Sequence, residues 1–131
     1  IKNLVVTGGD SDSNCLRVNG DESIANADAG ELSVTHSAVA CSSTSAFGSD
    51  TIGTDTTQAW FEGQDGNSVL ADTAALGFDS TGYVPASDSI LLGTGFDAST
   101  LDDFFDSTDY KGAFDGQSDW TLGWVTVGLE D

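Results

Sequence analysis

Asp10-Ser-Asp12-Ser-Asn14, followed by Asp21, places oxygen donors where a calcium loop has its positions 1, 3, 5 and 12. Calcium takes several hard oxygens at once, and this alternation can turn them toward one point. The match to an EF-hand ends at the sixth position, where the required glycine is Cys15, and at the twelfth, which is Asp rather than Glu. Asp10, Asp12, Asn14 and Asp21 therefore read as a looser calcium site or as a solvated Asp/Ser turn. A second acidic group, Asp102, Asp103, Asp106 and Asp109, carries the same two readings. Calcium is the one cofactor these residues suggest.

Other chemistries find fewer residues to work with. His36 is the single histidine, so a histidine-based zinc or iron site lacks ligands. It alternates with Leu32 and Val34, which reads as a partly buried histidine on one face of a strand. There is no Gly-x-Ser-x-Gly elbow and no phosphate-cradling loop. With 22 acidic residues, no glycosidase-type carboxylate pair stands out. A polysaccharide lyase would need a basic residue beside calcium, and Arg17 or Lys2 would have to serve. The expectation is that the chain is not an enzyme, with a lyase fragment as the enzymatic alternative. Trp60, Tyr83 and Trp120, where exposed, could stack sugar rings.

Charge narrows the partners. The 22 acidic residues face only 3 basic ones, Lys2, Arg17 and Lys111, for a net charge of −19. Nucleic acid and anionic lipid both require a cationic footprint, which excludes them as partners. Such a charge also costs stability through self-repulsion, a cost that salt screens. No apolar run approaches the roughly 20 residues that span a bilayer. The chain has no methionine, and Ile1 reads as the start of a processed or excised segment. Cys15 and Cys41 are even in number, and in an exported protein they are expected to pair; the alternative is two buried thiols.

The elements that must hold these residues read as β. Gly, Asp, Asn and Ser clusters separate short apolar runs at 3–8, 15–20 and 31–41, and no stretch sustains the i, i+3, i+4, i+7 pattern of a helix. "LVVTGGDSDSNC" from Leu4 and "LSVTHSAVAC" from Leu32 share a Leu-x-Val-Thr opening and a closing Cys, an offset of 28 residues. That spacing predicts stacked coils of a parallel β-helix over 1–50, with Cys15 and Cys41 at matching places. A small β-sandwich is the alternative. From Thr51 the spacers lengthen, one or two helical turns are expected near Ala71–Leu76, and 51–131 reads as an irregular cap on the coils, the whole forming one structural domain.

The closing "FFDSTDYKGAFDGQSDWTLGW" resembles the C-terminal signature of secreted or surface-attached bacterial proteins read as right-handed β-helices. Those often end in an FFD-x-x-x-Y-x-GAF-x-x-x-x-DWT-x-GW string. "YVPASDSILLG" is similar to the stretch that precedes it in them. The resemblance covers the last forty or so residues well and the rest loosely. It implies an all-β fold, the last coils of a β-helix with an aromatic cap, and an extracellular or cell-surface location; it implies no activity. Members have many more coils before this ending. A final coil exposes an apolar cross-section, so Phe104, Phe105, Phe114, Trp120 and Trp124 are expected as its plug, with a sugar-stacking platform as the alternative.

Together these readings predict a non-enzymatic structural module of a surface protein or extracellular filament. The alternative is a carbohydrate- or calcium-binding adhesion module. The Ile1–Val6 edge is expected to pack on further coils of the same precursor or on another subunit, with polysaccharide as a further partner.

Overall fold

The computed structural model describes residues 1–8, 14–41 and 46–123. Short strands and helices alternate through its first half: β1 (Val5–Gly8), β2 (Leu16–Arg17), α1 (Asp21–Asp28), β3 (Ala38–Cys41), β4 (Phe47–Gly48), α2 (Thr54–Glu62) and β5 (Ser68–Leu70). Every strand pair is parallel, in one sheet ordered β1-β3-β5 and a second pairing β2 with β4. A unit of strand, short strand and helix thus occurs twice before β5 closes the series.

The all-β expectation is overturned, both as β-helix coils with a cap and as a small sandwich. α1 and α2 occupy the connections between parallel strands, and the molecule is a small mixed α/β unit. Each helix starts directly after a glycine, Gly20 at φ 82° and Gly53 at φ 83°, a backbone region that other residues rarely enter. Acidic residues then occupy the first turns, Asp21 and Glu22 in α1 and Asp55 in α2, where the helix dipole favours them.

The repeat has a different step from the one the Leu-x-Val-Thr strings suggest. Val5 pairs with Ala38, and Leu16 with Phe47. Arg17 meets Asp50, and the Asn14 amide donates to the Phe47 carbonyl, each across 33 residues. The 28-residue reading fails because Leu32–Ser37 does not continue the strand. His36 takes a left-handed φ of 50°, which breaks the alternation with Leu32 and Val34, and β3 begins at Ala38.

Parallel sheets are normally covered on both faces, and this one is. On one face Val39 and Cys41 pack with Val34, Phe47 and Phe61, flanked by Val6 and Val69. On the other, Ala38 and Ala40 meet Leu76 and Leu91, flanked by Val5, Leu70 and Phe78. Leu76 ends a 3-10 turn over Thr73–Leu76, where helical turns were expected. Residues beyond β5 therefore lie across a sheet face, not over the end of a stack.

The plug expected of the closing aromatics is overturned accordingly. Phe104 is 85% exposed and Trp120 63%, and Phe105 is also exposed. Leu76, Val84 and Leu91 are the aliphatic side chains buried in this segment, and Leu76 and Leu91 pack on the shallow face that the small Ala38 and Ala40 leave. Trp124 lies outside the described residues.

Cys15 and Cys41 are joined in a disulfide, with Cα atoms 6.6 Å apart. Their places do not match in the register: Cys41 pairs with Gly8, so the bridge links the approach to β2 with the end of β3. Among the described residues no helix is long and apolar enough to cross a membrane.

Lys111 fastens the overlying segment. It is only 2% exposed. Its backbone N–H donates to the Leu91 carbonyl, and that of Gly112 to the Asn3 carbonyl beside β1. Its Nζ donates to the Gly66 carbonyl at 2.7 Å and to Ser68 Oγ at 3.2 Å, at the β5 side. The Lys111 side chain and the Gly112 backbone together thus tie both edges of the sheet. Burial pushes the amine below its ordinary value of 10.5. Between the depressed folded value and 10.5 the unfolded chain holds more protons, so stability gains as pH rises through that window. Unfolding in denaturant at stepped pH should show the wild type gaining on Lys111→Met as pH approaches 10.5; parallel curves would contradict the assignment.

Candidate functional site: an aromatic-rimmed cleft

A cleft of about 370 Å³ opens between the N-terminal strand and the segment that overlies the sheet. Leu4, Val5 and Thr7 line one side of it, and Phe78, Tyr83 and Phe114 the other. The lining is mostly apolar with few polar groups, the usual character of a small-ligand site.

The rim continues outward as a row of rings. Tyr83 and Phe114 have centroids 5.5 Å apart, and Phe114 stacks on Trp120 at 5.8 Å with 21° between planes. Trp120 Nε1 donates to the Ala113 carbonyl at 2.8 Å, so the indole is held by its polar edge while most of its surface stays exposed. Tyr83 is fixed in the same way, its hydroxyl donating to Asp119 Oδ2 at 3.0 Å.

This arrangement follows from the local sequence. In Asp115-Gly-Gln-Ser, the Asp115 carboxylate accepts the backbone N–H groups of Gln117 and Ser118, each at 2.8 Å, and closes a turn between Phe114 and Trp120. In Asp119-Trp-Thr, Asp119 accepts the Thr121 N–H at 2.9 Å and its hydroxyl as well, which sets the backbone on either side of the indole.

These bonds also fix the charges. The Thr121 hydroxyl, with help from Tyr83, holds the Asp119 carboxyl below its ordinary range against the opposing effect of burial. The Gln117 and Ser118 N–H groups do the same for Asp115. Tyr83 is pushed up, first by its bond to Asp119, then by burial and by the charges of Asp119 and Asp79. At neutral pH the rim therefore carries ionised carboxylates and a protonated phenol.

Of the three residues expected to stack sugars, the structure brings Tyr83 and Trp120 together through Phe114. Trp60 is elsewhere, partly buried against the Phe47–Phe61 side of the sheet. Phe114 was expected as plug, and the Asp119 contact had no signal beyond its place beside Trp120.

The suggested calcium residues divide. Asp10 and Asp12 lie outside the described residues. Asn14 uses its amide on the Phe47 carbonyl at 2.9 Å, and Asp21 is exposed in the first turn of α1. Among the described residues no group of three His, Cys, Asp or Glu side chains could hold a metal ion. The four carboxylates of 102–109 are exposed.

His36 is partly buried, edge-on to Phe96 at 5.4 Å, with Nε2 3.9 Å from Asp65. Lys2 lies over the Phe96 ring at 3.9 Å and donates to Thr35 Oγ1. Arg17 pairs with Asp50 at 2.6 Å. The two cations considered as lyase bases are thus engaged away from the cleft.

Comparison with protein-family models, with curated proteins and with solved structures finds no match to this chain.

Proposed function

We propose that this protein is a non-enzymatic extracellular binding module that takes a sugar ring on the Tyr83–Phe114–Trp120 row. One observation carries the reading: Trp120 is exposed, yet stacked, and pinned through Nε1 at the edge of an apolar cleft. A pinned aromatic face binds the C–H face of a pyranose with little rotamer entropy to lose. The cleft beside it offers room for the next ring. The disulfide and the likeness of the closing string to secreted surface proteins support the extracellular placement.

A structural role is the second reading. β1 and β2 are the end strands of their sheets, so another chain could add to both in parallel.

Titration calorimetry of the intact protein with a panel of oligosaccharides tests the first reading, with sedimentation under the same conditions. A monomer that binds a glycan, and loses at least tenfold in affinity on Trp120→Ala with an unchanged melting temperature, is the expected result. A protein that binds no glycan overturns it, and one that also self-associates through the Leu4–Val6 edge favours the structural role.

A further inference from the structure

The cleft rim carries anionic groups, and among the described residues none of them is ion-paired. Asp119 hydrogen-bonds Tyr83, Asp79 lies within electrostatic reach of the same phenol, and Asp115 closes the turn between Phe114 and Trp120. All three basic side chains are committed elsewhere. Arg17 faces Asp50, Lys2 sits on Phe96, and Lys111, one of the residues lining the cleft, gives its ammonium to Gly66 and Ser68. The net charge of −19 extends the same sign over the whole molecule.

We infer that the ring taken by Trp120 belongs to a cationic amino-sugar polymer, a glucosamine-type polysaccharide with free amines. This rests on the sugar-binding reading and names its substrate class. A protonated amine beside the indole face gains from the ring quadrupole, which is strongest for tryptophan. The ionised Asp119 and Asp115 carboxylates add direct attraction. The field of the whole protein concentrates a polycation at the surface and speeds its arrival. Uronate polymers meet the opposite field and are repelled. A neutral glycan gains only the stacking.

The test compares four oligomers of equal length on the full chain: glucosamine, N-acetylglucosamine, glucose and a uronate. Oligolysine of matching charge serves as a fifth probe. Calorimetry is run in low and in high salt, with Trp120→Ala and Asp119→Asn checked for unchanged melting. Glucosamine oligomers should bind at least tenfold tighter than the N-acetylated ones in low salt. High salt should narrow that gap, and Trp120→Ala should abolish binding of both.

N-acetylglucosamine or glucose binding as tightly as glucosamine overturns the inference and leaves the sugar-binding reading intact. No binding by any sugar overturns both. Oligolysine binding as tightly as glucosamine, or glucosamine binding that ignores Trp120→Ala, shows charge adsorption alone and also overturns the inference.

Discussion

Phe61→Ala should lower the free energy of unfolding by about 3–5 kcal/mol, the range for truncating a fully buried aromatic. Phe61 is the side chain that α2 contributes to the core, and it is fully buried. Its ring lies 5.4 Å from that of Phe47, and both pack with Val39 and Cys41 of the central strand. Removing it empties the space between helix and sheet, and the short α2 has only Thr57 besides to bury. Domains of this size are stable by roughly 5–15 kcal/mol, so the variant should be marginal. Chemical denaturation measures the loss. Phe104→Ala provides the contrast: that ring is exposed, and the change should stay within about 0.5 kcal/mol. A loss below 1 kcal/mol for Phe61→Ala, or equal losses for the two, would contradict this core.

Opening the Cys15–Cys41 bridge should cost about 3–4 kcal/mol, the loop-closure value for a separation of 26 residues. The bridge spans most of one repeat unit, including α1, which buries no side chain of its own and so depends on its ends being held. Cys15→Ser with Cys41→Ser, or reduction of the native protein, should move the denaturation midpoint down and steepen the slope, because the unfolded chain freed of the cross-link exposes more surface. Alkylation before and after reduction, read by intact mass, establishes the bond itself. Two thiols that react without reductant would contradict it, as would a double variant as stable as the parent.

The two cysteines were legible as a pair from their even number and the exported character of the chain. The places of β1 and β2 were legible too, from the apolar runs at 3–8 and 15–20, whereas the run at 31–41 holds β3 only in its last four residues. The helices were not, for a physical reason. α1 buries nothing and α2 buries a threonine and a phenylalanine one turn apart, so neither has an apolar stripe for periodicity to find. A signal was nonetheless present: Gly20 and Gly53 stand one repeat apart, each followed by an acidic first turn. The closing aromatics were misread because composition cannot tell a buried ring from an exposed one. What decides is the depth of the face beneath, and the alanines of β3 make it shallow. Tyr83 and Trp120 stood out in the sequence as candidates, but their joining through Phe114 depends on turns closed by Asp115 and Asp119, which pattern alone does not reveal.

The most direct test of sugar binding on this row is a nitrogen–proton NMR titration of the intact protein with the tightest-binding oligosaccharide, following the tryptophan indole and backbone amide signals. The Trp120 indole should shift, together with backbone amides at Tyr83, Ala113 and Phe114. The Trp60 indole, packed on the other side of the sheet, should stay in place. Shifts centred on Trp60, or a bound glycan that leaves Trp120 and its neighbours unmoved, would contradict the assignment.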